Sequence, residues 1–468
     1  MKRALIATAA LALLAGCASL DPAATLAPVQ DLVRQHAGAE LVAERSEADG
    51  AALRARVDEL LAQPLSADGA VQIALLNHRG LQARLQDLGV AEAQVVELSR
   101  LPNPGVSFGR MRQGDEREIE RGLHFNLAAL LLRPLAAQAE RRQLAALQQG
   151  VAADALALAA QARKAFFEAV AAEQSLLYMR QVLQAADASA ELARRMAEAG
   201  NFNRLRQARE HAFYADAALN LARAQHAQVA ARERLIRALG LWGAQTLFTL
   251  PERLPELPAA PPARPDLEQQ AMQQRLDVAA ARAQVQATAD ALGLTRASRF
   301  VSVFEFGLAH NTSNEGPRQT GWEIGFEIPI FDFGQARVAK AQALYAKSVH
   351  EAQRVAIEAR SEVREAWHAL ATAHDIARHH RDEIVPTARR IGEENLLRYN
   401  GMLIGVFELL ADARAQIAAV DASIAALRDY WIADADLRAA LVGRPALASA
   451  AVPGAPAAVA TGGAAGGH

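Results

Sequence analysis

Three histidines, His374, His379 and His380, fall in one short stretch, and clustered imidazoles are the side chains best suited to hold a transition metal. Their spacing is i, i+5 and i+6, whereas two ligands on one helix face need i, i+4, so the stretch reads as a solvated helix face. The chain has a single cysteine, Cys17, which excludes an intrachain disulfide and a thiolate cluster. No HExxH, no GxSxG and no phosphate-cradling glycine loop occurs. The expectation is a protein that is not an enzyme and holds no metal or cofactor. Lys and Arg number 50 against 52 Asp and Glu, with the signs interspersed, so no basic face for a nucleic acid is expected either.

The informative patterns are architectural. In GWEIGFEIPIFDFGQARVAK, starting at Gly321, Trp322, Ile324, Phe326 and Ile328 alternate with Glu323, Gly325 and Glu327, which predicts a strand with one apolar side. Pro329 ends that ladder, Asp332 can cap a helix, and from Ala336 a helical pattern runs on to Pro386. The same device occurs earlier. Leu123, Phe125 and Leu127 alternate with His124 and Asn126, and beyond Pro134 another proline-free helical run follows. Two copies of one unit are therefore expected.

The N-terminus carries Lys2 and Arg3 and then an apolar run from Ala4 to Ala15, too short to span a bilayer as an anchor, which marks an export signal over residues 1–16. It is similar to a bacterial lipoprotein signal, in which Leu14, Ala15, Gly16 and Cys17 form the lipobox. That resemblance implies acylation (palmitate) of Cys17, and Ala18 and Ser19 imply sorting to the outer membrane.

Residues 17–65 form an N-terminal segment with one expected helix, Ala51 to Ala62. Repeat 1, residues 66–249, opens on Ser66 as N-cap of a helix to about Arg100, with Val71, Ala74, Leu75, Leu81, Leu85 and Leu88 on its apolar side. A hairpin over 104–130 follows: Val106 and Phe108 on the apolar side of its first strand, a charged tip from Gln113 to Arg121, and a return strand from Gly122 to Leu130. Strands of ~9–11 residues suffice to cross a bilayer when tilted. From Leu135 to Ala199 no strong breaker except Gly150 occurs, so at ~1.5 Å per residue the helix would reach roughly 95 Å and needs helical partners along its length. Gly200 to Asn203 breaks it, and Arg204 to Leu239 returns.

Residues 250–265, LPERLPELPAAPPARP, read as an extended linker. Repeat 2, residues 266–443, follows element by element: a helix to Leu294, a hairpin over 300–330 with a polar tip from His310 to Thr320, a long helix from Ala336 to Leu397 kinked at Pro386, a break at Tyr399 to Gly405, and a return helix to Leu441. Leu437 and Leu441 fall where Leu235 and Leu239 fall in repeat 1. Residues 444–468 read as a disordered tail.

Two hairpins cannot close a membrane barrel, of which the smallest have about eight strands, and open edges are not tolerated in hydrocarbon. Copies must join, as two chains or as three. The alternating polar residues Ser107, Gly109, Asn126, Glu323 and Glu327 would then line a wet interior, and the object is a conduit.

From Ser66 to Gly443 the chain resembles outer-membrane efflux proteins of the TolC type, on the run SADGAVQIALLNHRGLQARLQDLGVAEAQVVELSRLPNPGVSFG, the IPIFDFG junction, the RYNGMLIGVFELLADAR turn and the DYWIADADLRAALVG ending. His78 departs, since a proline often follows that asparagine, and Met402 stands where a glycine is usual. The resemblance implies a mainly α fold with a small β part, closing as a homotrimer into a twelve-stranded barrel and a periplasmic helical tunnel. It further implies an adapter and an inner-membrane pump as partners and export of small solutes such as drugs, organic compounds or metal ions. It places adapter contacts at the tips, on Gly200, Asn201, Phe202, Leu205, Arg398, Tyr399 and Leu403, and a tunnel constriction at Glu408, with Asp412 beside the position of a second acid. Phe202 could equally staple its own turn. The alternatives are a periplasmic adapter, which should carry a compact β domain, and a structural coiled-coil lipoprotein, which would need no alternating strands.

Overall fold

The computed structural model describes residues 19–101, 103–261, 266–297, 304–314, 316–326 and 331–443. Cys17, Glu327, Ile328 and the tail lie outside the described residues. The fold is mainly α with one small sheet, built from two similar halves.

Repeat 1 comprises α3 (Ala67–Asn77), α4 (Arg79–Ser99), β1 (Gly105–Gln113), β2 (Glu116–Asn126), α5 (Leu127–Glu198) and α6 (Arg204–Leu239), preceded by α1 (Pro22–Ala37) and α2 (Glu47–Leu61). Repeat 2 comprises α7 (Leu267–Gln274), α8 (Leu276–Ala297), β3 (Phe304–Ser313), β4 (Gln319–Phe326), α9 (Gln335–His379), a π turn (His380–Ile384), α10 (Val385–Asn400) and α11 (Val406–Val442). The 72 residues of α5 span roughly 110 Å at ~1.5 Å per residue, and α6, α8 and α11 pack along it.

Several expectations change. One helix to Arg100 becomes two, because His78 adopts an extended backbone (φ −68°, ψ 112°) and its ring Nδ1 accepts from the Leu81 N–H at 3.3 Å, capping α4. That φ lies in the range a proline adopts. Before the break, Asn77 donates to the carbonyls of Leu239 and Gly240 at 3.3 and 2.7 Å and so fastens the end of α6. Repeat 2 solves the same problem with a different side chain. Arg275 breaks α7 from α8 (φ −67°, ψ 124°) and donates to the Ala440 carbonyl at the end of α11 at 3.1 Å. Arg275 is 1% exposed, and its charge is balanced by Asp277 at 2.6 Å and Glu362 at 2.7 Å.

The N-terminal segment holds two helices. Asp21 caps α1 by accepting from Ala24 N at 3.1 Å, Pro22 sits in its first turn, and Gly38 (φ 65°) ends it, so Leu26, Val29 and Val33 join the core against α5. The described part of the proline-rich linker, residues 250–261, is docked on the helices. Gln174 of α5 accepts from Leu254 N at 3.0 Å, Trp431 of α11 donates to the Pro255 carbonyl at 3.1 Å, and Arg232 of α6 stacks over Phe248, 4.2 Å from its ring centre. Near Pro386 the helix widens into the π turn, because proline offers no N–H to the Asp382 carbonyl and crowds it.

The buried Arg275 carries a testable consequence. Arg275→Met would leave Asp277 and Glu362 without their cation, and a loss of about 3–5 kcal/mol is expected in denaturant unfolding. A variant as stable as the parent would mean that the two carboxylates find water instead.

Candidate functional site

Two places in the fold offer function: the sheet at one end and the helix turns at the other. The sheet is four-stranded and antiparallel in the order β1-β2-β3-β4, and both β1 and β4 have an unpaired edge. The expected charged tip from Gln113 to Arg121 is mostly strand, because EREIER alternates with period two and the turn needs only Gly114 (φ 62°) and Asp115. The second tip is likewise shorter than His310 to Thr320, since β3 runs to Ser313 and β4 starts at Gln319. Asn314 joins the two tips, accepting from Arg117 N at 2.6 Å and donating to the Asp115 carbonyl at 3.0 Å.

Register sorts the side chains onto two faces. Val106 pairs with Leu123, Leu123 with Leu308 and Leu308 with Trp322, while Phe125 pairs with Phe306 and Phe306 with Ile324. With Phe108 these rows form one apolar face, and it is bare: Val106 is 79%, Phe108 69% and Trp322 70% exposed. The return strand is shorter than expected. Asn126 closes β2, and Leu127, expected on the apolar face, is the first residue of α5. The run LAALLL lacks β-branched residues and favours helix. Phe326 ends β4, its backbone paired with Phe304.

The opposite face is polar. Ser107 and His124 approach to 2.8 Å, Asn311 donates to Glu118 at 3.3 Å, and Glu116, Glu120, Glu305 and Glu323 share that side by alternation.

At the far end both turns are Schellman motifs. In the first, Asn201 N donates to the Met196 carbonyl at 2.9 Å and Gly200 N to Ala197 at 3.1 Å, with Gly200 at φ 76°. In the second, Leu403 N donates to Arg398 and Met402 N to Tyr399, both at 2.9 Å, with Met402 at φ 59°. Met402 thus occupies the left-handed position of Gly200. Asn203 caps α6 by accepting from Arg206 N at 2.8 Å, and Gly405 stands at the corresponding place before α11 without a side chain to cap it.

Of the expected contact residues, Leu205 (61% exposed) and Leu403 (78% exposed) stand free at the tips, as do Asn201, Arg398 and Tyr399. Phe202 is half-buried with the Arg206 guanidinium 5.8 Å from its ring centre. Glu408 is exposed in the first turn of α11, where a helix favours an anion, and Asp412 one turn on accepts from the Asn395 amide. The three histidines do not converge. His374 is buried and donates from Nε2 to the Pro258 carbonyl at 3.0 Å, while the exposed His379 lies 3.4 Å from Glu383. Among the described residues no group of three or more His, Cys, Asp or Glu is arranged to hold a metal.

Sequence reading missed Glu210. The offset that superposes Met402 on Gly200 puts Asp412 on Glu210, so both repeats carry an acid two turns into the return helix. Glu210 is 1% exposed and accepts from the Ser189 hydroxyl at 2.8 Å. Arg414 of α11 lies over Phe213, 5.1 Å from its ring centre, and 3.9 Å from Asp216, which ties the two tips side by side. Burial pushes the Glu210 carboxyl above its ordinary range, against the opposing pull of Ser189 and Arg414.

Residues 267–443 match the family model described as outer membrane efflux protein. No curated protein matches the chain by sequence. Among solved structures, a membrane protein from Pseudomonas aeruginosa superposes with a TM-score of 0.68 at 21% identity, over 80% of this chain and 93% of that one. The Campylobacter jejuni CmeC outer membrane channel superposes with 0.70 at 17%, over 80% and 85%. The open state of the Neisseria gonorrhoeae MtrE outer membrane channel gives 0.67 at 19%, over 81% and 90%. At these identities the likeness establishes the fold.

Two outcomes test the tip geometry. Met402→Gly removes a side chain from a left-handed backbone and is expected to stabilise the turn by about 0.5–1 kcal/mol, seen as slower amide exchange around Leu403. For Glu210, a raised carboxyl pKa means the folded chain holds the proton more tightly than the unfolded one. Its contribution is full below the ordinary value of 4.5 and is lost as pH rises through the folded value. Glu210→Gln should therefore raise the Tm at neutral pH and lose that advantage as the pH falls to 4.5. A gain that does not change with pH would exclude ionisation as its source.

Proposed function

We propose that the chain is an outer-membrane efflux protein of the TolC type, on the match of residues 267–443 to the family model, and that it is the channel component of a tripartite efflux system. The observation that carries the proposal is the four-stranded sheet with a bare apolar face and two open edges. In water such a face invites association, and in hydrocarbon the edges must be paired. Because β1 and β4 run in opposite directions, β4 of one copy can pair antiparallel with β1 of the next. A head-to-tail ring of three copies gives twelve strands, and the helices below them close into a tube at the same time.

In this reading Val106, Phe108, Leu123, Phe125, Trp322 and Ile324 face lipid, and the glutamate-bearing face lines the lumen. The lipid on Cys17 anchors the chain in the outer membrane, and α5, α6, α10 and α11 extend into the periplasm. Their tips meet an adapter protein through Leu205, Tyr399 and Leu403, and an inner-membrane pump supplies small solutes. Glu408 and Asp412, with Glu210 behind them, place acids near the narrow end, where a ring from three copies favours cations.

The first measurement is the native mass of protein extracted from outer membranes in mild detergent. A trimer carrying acyl mass on Cys17 is expected, and a water-soluble monomer would overturn the proposal. In planar bilayers, replacing Glu408 and Asp412 with Ala should change single-channel conductance or reduce cation preference; unchanged values would remove the constriction from these two residues.

A further inference from the structure

The apolar face of the sheet changes character toward the hairpin tips. Beyond Phe108 and Leu123 the same face carries Arg110 and Arg112 of β1 and Arg117 and Arg121 of β2. The register sets Arg112 directly opposite Arg117, and it pairs Arg110 with Ile119, so that Arg110 lies diagonal to both Arg117 and Arg121. All four are exposed. Like charges directly opposite on a sheet repel, and nothing in the hairpin neutralises them. The hairpin glutamates Glu116, Glu118 and Glu120 alternate onto the other face, and among the described residues none of the four arginines forms an ion pair with a carboxylate of this chain. One contact is internal, from Arg112 Nε to the Gly114 carbonyl at 3.0 Å.

We propose that these four arginines form a belt that binds the phosphate groups of lipid headgroups in the outer leaflet. The inference rests on the outward orientation of the hairpin tips in the channel reading above. The apolar rows fix this face against hydrocarbon, so the belt, continuous with them, meets the membrane at headgroup depth, where an arginine on a lipid-facing strand is tolerated. A guanidinium presents paired N–H donors that match two phosphate oxygens, and a cluster of four with no carboxylate partner needs anions of that kind. Three copies would repeat the belt around the barrel.

The test compares diphosphorylated lipid A with its dephosphorylated form, added to the detergent-extracted full chain, with bound lipid counted by native mass spectrometry. The phosphorylated lipid is expected to bind at least ~10-fold more tightly, and the preference should weaken with salt. In the fourfold variant Arg110→Gln, Arg112→Gln, Arg117→Gln, Arg121→Gln the preference should vanish, while the matching Arg→Lys variant, which keeps the charges, should retain most of it. Equal binding of the two lipids, or a preference that survives in the Gln variant, would overturn the belt. Asp115→Cys, probed on intact cells with an impermeant maleimide, separates the two readings. Labelling with no lipid preference sinks the belt alone, and absence of labelling in a chain shown to be folded sinks the orientation on which it rests.

Discussion

Backbone amides and carbonyls along the outer edges of β1 and β4 are the constraint from which the rest of the structure follows. In water an open edge is a nuisance, but in hydrocarbon each unpaired peptide group costs several kcal/mol, roughly enough that no lone four-stranded sheet can stay there. One copy of this chain presents an apolar face without the means to bury it. In the proposed channel, closure by further copies would satisfy the edges and the face together, and it would carry the helices into a ring because α5 leaves β2 without a loop. A helix of 72 residues has no reason to exist in a compact domain, where ~11 is ordinary, and every reason in a tube wall.

The two halves meet equal demands with different residues, and the differences are informative. Asn77 and Arg275 both fasten the end of a return helix, yet one is a neutral amide making two bonds and the other a buried cation that needs two carboxylates. Gly200 and Met402 both hold the left-handed corner of a tip, one at no steric cost and the other against its own β-carbon. Glu210 and Asp412 occupy one position, buried under Ser189 in the first half and bonded to Asn395 in the second. In the proposed tube of three chains, a repeated unit whose copies differ in this way would give only approximate sixfold character, with chemically distinct positions alternating around it.

Much of this is legible in the sequence because it follows from period and punctuation. Alternation at Trp322 and Ile324 marks a strand, and the apolar positions from Val71 to Leu88 are all buried as their spacing requires. The failures have physical causes. Charged residues from Glu116 to Arg121 read as a loop because charge suggests solvent, whereas their strict alternation places them on two faces of a strand. The helix α1 hides in an alanine-rich, polar stretch, although Asp21, Pro22 and Gly38 are cap, first-turn and stop residues in the expected order. The docking of the linker depends on Gln174, Arg232 and Trp431, which lie far from it in sequence, and no local pattern discloses those partners. Glu210 is recoverable, since the offset that aligns Leu437 with Leu235 already places it opposite Asp412.

The hairpin segregates its ionised groups by face and so sets Arg112 directly against Arg117. Along β2, glutamate and arginine alternate, so every arginine has an acid as its chain neighbour but none as its neighbour across the face. A strand built for solubility would interleave signs on each face to gain cross-strand pairs. This one forgoes those pairs, and the arrangement is favourable only if each face has its own counter-charge: mobile cations on the glutamate side and fixed anions on the arginine side. In the proposed channel, water with dissolved ions would supply the first and a lipid headgroup layer the second. In the proposed channel the two faces of this single strand would meet two different surroundings, a wet interior and a membrane boundary, and a closed barrel is the structure that would separate them.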